Sequence, residues 1–145
     1  PEIWPADARA RARARSLSAE MHAGFAALRS AMPMNLKFEL KGKSPALEVQ
    51  QDIDRVIALW GETRCQFSGR QGPYLFGAFS AADAMYAPVA CRFHIYNVAL
   101  PPVAGHYRDA LLAHPAMIEW REAALKESEA CARYDQLAED YGGRR

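Results

Sequence analysis

The stretch from Gly72 to Pro88 constrains the fold of this chain more than any other part of its sequence. Two glycines and a proline mark a turn near its start, and a long apolar run follows. Ser80 stands three residues before Asp83, which is the spacing of a capping box. In that motif the Ser80 hydroxyl accepts the N–H of residue 83, and the Asp83 carboxylate accepts the N–H of Ser80. We therefore predict that a helix begins at Ser80.

Residues 81–91, which follow Ser80, carry a single charge, that of Asp83 in the first turn. The other residues of 81–91 are alanine, methionine, tyrosine, proline, valine and cysteine, so the helix lacks a charged face. A helix that is apolar all round is a buried helix. We predict a central helix from Ser80 to about Asn97, kinked at Pro88 because proline lacks an N–H and crowds the preceding turn.

Helical spacing of apolar residues, together with capping residues and prolines, predicts further helices on both sides of the central one. Before the central helix we predict a helix capped by Asp7 that runs to about Ala31 and is ended by Pro33, and a helix with Pro45 in its first turn that runs to about Phe67. After it we predict a short helix from His106 to His114, a helix that starts at Pro115, and a polar segment from Glu127 to Tyr141. The inner face of the helix that starts at Pro115 carries Met117, Trp120, Ala124 and Leu125. The 145 residues, half of them hydrophobic, are enough for one core. The predicted fold is a single all-α domain over residues 1–145, with five to six helices around the buried central helix.

The charge of the chain favours neither nucleic acid nor a membrane as a partner. Lysine and arginine number 18 and aspartate and glutamate 17, which leaves a formal charge of +1. Four alternating arginines in the first helix do not form one basic face, because Arg9 and Arg13 share one side and Arg11 and Arg15 lie nearly opposite. No apolar run reaches the roughly 20 residues of a transmembrane helix.

The cysteines suit a reducing compartment, and we expect a cytoplasmic protein. Cys65, Cys91 and Cys131 are an odd number, far apart, with no C-x-x-C pair. Cys91 and His94 are three residues apart on one helix, but two ligands without a third do not make a metal site. We therefore predict no metal.

The motif at residues 72–84, Gly-Pro-Tyr-Leu-Phe-Gly-Ala-Phe-Ser-Ala-Ala-Asp-Ala, resembles the signature of the C-terminal helical domain of cytosolic glutathione transferases, in which a loop leads into a capping box and a hydrophobic central helix. Trp-Pro-Ala-Asp at residues 4–7 resembles the start of the first helix of that domain. Glu-Met-His-Ala-Gly-Phe at residues 20–25 is similar to a run in bacterial members, and His-Pro-Ala-Met at residues 114–117 resembles a helix boundary near the C-terminus of the family. The likeness covers nearly all of the chain.

This resemblance implies that the 145 residues are the C-terminal half of a glutathione transferase-like protein. In that family the thiol-activating residue and most of the glutathione site lie on an N-terminal thioredoxin-like domain, and nothing in this sequence resembles that domain. The helical half would form the hydrophobic co-substrate pocket and the dimer interface, while the chemistry would be attack of a glutathione thiolate on a small electrophile. We expect the full protein to be a homodimer and this chain alone to be inactive, with no catalytic residue of its own.

The resemblance also implies six binding residues. His22 matches a histidine of the bacterial motif that points toward the active-site cleft, and could instead be a solvated helix residue. Arg15, on the same helix face, matches a polar position that reaches toward the glutathione of the partner subunit, and could instead be a surface arginine. Candidate walls of the co-substrate pocket, for which core packing is the alternative, are Met32, Met34, Arg92 and Tyr96.

Ser80 and Asp83 are predicted to have a structural role, as the cap of the central helix.

Besides the helical domain of a glutathione transferase-like protein, two other functions are consistent with the sequence. One is a non-catalytic helical module for protein interaction and assembly. The other is a small all-α DNA-binding domain, which rests only on the arginine run.

Overall fold

A computed structural model of the chain describes residues 3–68, 72–129, 131–141 and 143. Within these residues the protein is built from seven α-helices and one π-helical turn, with no β-strand beyond isolated bridges. The elements are α1 Ala8–Ala23, α2 Ala26–Ala31, α3 Leu47–Thr63, the π-helical turn Arg64–Ser68, α4 Ala81–Ile95, α5 Pro102–Leu112, α6 Pro115–Lys126 and α7 Ala132–Asp140. The predicted all-α class is confirmed. None of the described helices is long and apolar enough to cross a membrane.

Helix α4 is the buried helix that the capping box predicts. Ser80 is its N-cap, and nine of its 15 residues are buried. It packs against α1 and α5. The helix ends because Asn97 adopts a left-handed conformation with φ of 51°. The N–H of Val98 donates to the carbonyl of Phe93 at 2.9 Å, which closes the Schellman motif that commonly ends a helix.

Asp83 joins three parts of the fold through one buried carboxylate. Its Oδ2 accepts the N–H of Ser80 at 2.8 Å and the hydroxyl of the same serine at 2.9 Å. Its Oδ1 accepts the N–H of Leu75 at 3.0 Å and the hydroxyl of Tyr107 at 3.0 Å. The carboxylate therefore ties the loop before α4, the start of α4 and the middle of α5 to each other. Burial raises the pKa of Asp83, and these hydrogen bonds oppose that rise.

An aromatic cluster around Trp60 of α3 fills the centre of the core. The ring of Trp60 lies 4.8 Å from that of Tyr107 in α5, 5.4 Å from that of Phe93 and 5.9 Å from that of Tyr86, both in α4. The hydroxyl of Tyr86 donates to the carbonyl of Leu17 in α1 at 3.3 Å. Four helices thus meet at one cluster, with α4 between the others.

The prediction of one helix from Asp7 to Ala31 is wrong, because the chain breaks at Gly24. Asp7 does cap α1, accepting the N–H of Ala10 at 2.8 Å. A Cβ on Gly24 would lie 2.7 Å from the carbonyl oxygen of Glu20, so the turn that follows α1 requires glycine. Phe25 then adopts a left-handed backbone with φ of 59° and buries its ring.

A distant carboxylate supplies the cap that α2 lacks. Phe25, its N-cap residue, makes no side-chain cap bond. Instead Asp52 of α3 accepts the N–H of Leu28 at 2.9 Å, at the third position of α2. The break at Gly24 raises the number of helices from the predicted five or six to seven.

Three prolines mark the other helix starts, two of them differently from the prediction. Helix α3 begins at Leu47 rather than with Pro45 in its first turn. Helix α5 begins at Pro102 rather than at His106, because proline suits the first helical position, where its missing N–H would have no partner. Helix α6 begins at Pro115 as predicted, with the His114 side chain accepting the N–H of Ala116 at 3.2 Å.

The apolar stripe predicted to face inward on α6 is only partly covered. Met117 and Ala124 are half-buried, whereas Trp120 is 40% exposed and Leu125 is 54% exposed.

The chain beyond α6 returns to the core through Tyr141, whose hydroxyl donates to the carbonyl of Ala31 at 2.9 Å.

Candidate functional site

A surface cleft of about 490 Å³ lies beside the break between α1 and α2. Its walls come from residues 23–34, from Arg92 of α4 and from Tyr134 of α7. Since Arg29 of α2 and Arg92 both line it, we call it the arginine cleft. Two of the six predicted binding residues, Met34 and Arg92, meet in this cleft.

Arg92 is held in place by the backbone of two helices. Its Nε donates to the carbonyl of Met32 at 2.9 Å, and its Nη1 donates to the carbonyl of Pro88 at 3.1 Å. The side chain is half-buried, and this burial lowers the pKa of Arg92. The nearby Arg29 cation lowers that pKa further, which indicates that the two guanidinium groups feel each other's field.

Arg29 enters the cleft from the short helix α2. Its Nη1 donates to the carbonyl of His22 at 3.2 Å, at the last turn of α1, where helix carbonyls lack partners. The break at Gly24 is what turns α2 and allows this contact. His22 itself contributes only its backbone here: its side chain is exposed and does not line the cleft.

The chemistry of the arginine cleft suits binding of an anion. Among the described residues that line it, none is acidic, and the hydroxyls of Ser30 and Tyr134 accompany the two guanidinium groups. Arginine presents a planar fork of donors that matches a carboxylate or phosphate. Two adjacent cations with no acid in the lining leave their field available to a ligand, and Met34 adds an adaptable apolar wall.

Met32 and Tyr96 lie apart from this cleft. Both border a pocket of about 410 Å³ next to residues 41–45. Met32 is 1% exposed, and the Tyr96 hydroxyl donates to the carbonyl of Pro33 at 2.8 Å. Burial raises the pKa of Tyr96. The Tyr96 ring also meets the Tyr141 ring edge-on, with 4.7 Å between the ring centroids. Met32 and Tyr96 therefore both contribute to core packing.

Arg15 is exposed on α1, and its guanidinium lies over the ring of Trp4 at 5.8 Å. Two other arginines of α1 also make contacts within the chain. Arg11 donates to the carbonyls of Pro5 and Ala6 at 3.1 and 2.6 Å, and Arg13 pairs with Glu62 of α3 at 3.1 Å. These arginines fasten the N-terminal segment and α3 to α1, on different sides of the helix.

Sequence reasoning missed Arg29, Ser30 and Tyr134. No motif of the chain contains them, and the cleft brings Tyr134 to α2 across most of the chain length. A signal for Arg29 exists only in the glycine at position 24, which permits the helix to break and α2 to turn.

The described residues include no group of three or more His, Cys, Asp or Glu side chains that could hold a metal ion. No protein-family model matches the chain, and no curated protein is significantly similar to it. The likeness to glutathione transferases therefore rests on the four motifs quoted from the sequence.

Proposed function

We propose that this chain is the helical domain of a glutathione transferase-like protein and that the arginine cleft forms part of its ligand-binding wall. The observation that carries the proposal is that Met34 and Arg92, two of the pocket-wall residues that the resemblance implies by position, line one cleft. The capping box and the buried central helix, on which the resemblance depends, support it further. Glutathione carries two carboxylates, which the cleft arginines suit.

In this proposal the helical domain binds and orients, and the reaction depends on a thioredoxin-like domain of the same protein. Attack by the glutathione thiolate on an electrophile needs a group that lowers the pKa of the thiol, and the family has that group on the N-terminal domain. The helical domain would supply a cation for a carboxylate and an apolar wall for the electrophile. A homodimer would bury part of the remaining apolar surface.

The reading frame upstream of Pro1 gives the first test. It should encode a thioredoxin-like domain, of a length within the roughly 50–250 residues of ordinary domains. A start codon immediately before Pro1 would contradict the proposal.

Kinetics of the full protein give the second test, with conjugation of glutathione to 1-chloro-2,4-dinitrobenzene as the assay. Arg92→Gln should raise the KM for glutathione at least about tenfold, since a hydrogen bond to a charged group is worth about 1.5–3 kcal/mol. Arg9→Gln removes the same charge from an exposed position of α1 outside the cleft and should leave that KM unchanged. Equal KM values for the two variants would refute the assignment of the cleft, once circular dichroism shows both to be folded.

A helical interaction module is the second candidate function, and the apolar surface of α6 favours it. Ile118 and Leu125 are 46% and 54% exposed and lie seven residues apart on one side of the helix, and exposed apolar residues on one face often mark a protein contact. This candidate predicts that the 145-residue chain is stable by itself, binds a partner protein through α6, and does not bind glutathione. Leu125→Ala should then abolish the partner contact.

A further inference from the structure

Another cavity, of about 300 Å³, lies among α4, α5, α6 and residues 36–38. None of the six predicted binding residues lines it, and it shares no lining residue with the arginine cleft. We call it the apolar cavity. Its apolar lining consists mainly of Leu36, Phe38, Cys91, Ile95, Leu112 and Met117.

The charged groups that line the apolar cavity are balanced by each other or by near neighbours. Arg121 Nη2 lies 2.7 Å from Glu39 Oε1, and His94 Nε2 lies 3.3 Å from the same oxygen. Asp109 pairs with Arg108 at 2.8 Å. A charged ligand would have to displace one of these pairs, whereas a neutral ligand would leave them in place.

Cys91 presents a neutral thiol to the cavity. The residue is 2% exposed, and burial raises the pKa of its thiol to about 11. A thiol with that pKa stays protonated at neutral pH and acts as a small apolar contact rather than a nucleophile. The cavity wall from α4 is therefore apolar up to His94.

The volume of the cavity sets the size of the ligand. Ligand pockets in proteins are usually about 300–1,000 Å³ and lined mainly by apolar side chains, so this space lies at the lower end of that range. An apolar cavity of about 150 Å³ is known to bind benzene. About twice that volume has room for two aromatic rings.

We propose that the apolar cavity is a binding site for a neutral, largely apolar small molecule about the size of two aromatic rings. The site does not depend on the function proposed for the arginine cleft. The ligand would contact Phe38, Cys91 and Met117 with its rings, and a single polar atom could remain at the side of His94 and Arg121.

Two fluorescent probes with one skeleton test this site on the 145-residue chain. N-phenyl-1-naphthylamine is neutral, and 1-anilinonaphthalene-8-sulfonate is the same molecule with a sulfonate. The neutral probe should bind saturably at one site per chain and more tightly than the sulfonate. Absence of saturable binding by the neutral probe would overturn the proposal, and so would tighter binding of the sulfonate.

Substitutions on neighbouring residues of α6 locate the bound probe. Met117 lines the cavity and is half-buried, whereas Ile118 is exposed and lies outside the lining. Met117→Trp would fill the cavity and should weaken binding of the neutral probe at least about tenfold, because a packed site does not readily accept extra volume. Ile118→Trp adds the same ring elsewhere and should leave binding unchanged. Equal effects of the two variants would overturn the proposal.

Reactivity of Cys91 gives a readout without any change to the cavity wall. In a Cys65→Ser, Cys131→Ser variant, both exposed thiols are removed and Cys91 is the one that remains. Methyl methanethiosulfonate is attacked at sulfur by the Cys91 thiolate, forming a mixed disulfide and releasing methanesulfinate. The neutral probe should slow this reaction in proportion to its occupancy. An unchanged rate at saturating probe would place the probe elsewhere and overturn the proposal.

Discussion

Removal of the Asp83 carboxylate should destabilise the protein more than removal of the Ser80 hydroxyl that shares its capping box. The carboxylate is fully buried and accepts four hydrogen bonds, from the Ser80 N–H and hydroxyl, the Leu75 N–H and the Tyr107 hydroxyl. In Asp83→Ala all four donors lose this acceptor. In Ser80→Ala only the bond from the hydroxyl is lost, and the backbone bond to Asp83 remains.

The expected magnitudes follow from the number of donors left without a partner. A lost helix cap costs about 1 kcal/mol, which is the value expected for Ser80→Ala. Each buried donor left unsatisfied costs about 1–3 kcal/mol. Two backbone N–H groups and one tyrosine hydroxyl are orphaned in Asp83→Ala, so its cost should be at least about 3 kcal/mol even at the lower limit for each donor.

An isosteric change separates hydrogen bonding from volume. In Asp83→Asn the amide oxygen can take the place of Oδ1 and keep the bonds from Leu75 and Tyr107. The amide NH₂ then faces the Ser80 N–H, where two donors oppose each other. The Ser80 hydroxyl can rotate to accept instead, so one donor is lost and the cost should be about 1–3 kcal/mol.

Urea unfolding followed by circular dichroism measures these differences. The three variants should lower the free energy of unfolding in the order Ser80→Ala, then Asp83→Asn, then Asp83→Ala, with the m-value unchanged. Tyr107→Phe removes one of the four donors, and a double-mutant cycle with Asp83→Ala, which removes the acceptor, measures their coupling. An Asp83→Ala variant no less stable than Ser80→Ala would refute the view that this carboxylate joins the loop, α4 and α5.

Two further predictions use pKa values. Burial raises the pKa of Asp83, so the native state binds a proton at this carboxylate more tightly than the unfolded state does. The stability of the wild type relative to Asp83→Asn should therefore fall as the pH rises from the usual aspartate pKa to the raised native pKa, and then level off. A stability difference that grows with pH over this range would contradict the raised pKa. Cys65 and Cys131 are exposed, whereas Cys91 is buried with a pKa raised to about 11. Ellman's reagent at pH 8 should therefore modify Cys65 and Cys131 quickly and Cys91 only after unfolding. Rapid modification of all three thiols in native buffer would show that Cys91 is accessible.

The central helix was predictable because its signals are local. The capping box lies within four residues, the uncharged run from Ala84 to Cys91 lies within one helix, and the structure has both the capping box and the buried helix. The break between α1 and α2 was not predictable in the same way. Alanine and arginine favour a continuous helix over that stretch. Phe25 is buried after the break, and the cap of α2 comes from Asp52 of α3, which lies later in the sequence.

The candidate binding residues divide along the same line. The resemblance implied Met34 and Arg92 by position, and the structure brings them to one cleft, but Arg29 reaches that cleft only through the break at Gly24. The apolar cavity has no sequence signal, because its wall combines four separate parts of the chain and each residue in it reads as ordinary core. Position on a helix face predicts burial, whereas a void depends on how well several faces fit together.

Helix α6 connects these observations, because it is the element whose sequence pattern and burial agree least. Met117 lies against the apolar cavity, while Trp120 and Leu125 of the same predicted stripe are exposed. An apolar stripe on a helix is normally covered, and in both proposed functions another protein surface would cover the exposed part of this one. The glutathione transferase-like proposal includes two such surfaces, the partner subunit and the N-terminal domain, and the interaction module includes one. A homodimer that buries Trp120 would quench or shift its fluorescence with rising concentration of the full protein, whereas burial by the N-terminal domain would be independent of concentration. The concentration dependence of Trp120 fluorescence therefore distinguishes a partner subunit from the N-terminal domain as the surface that covers α6.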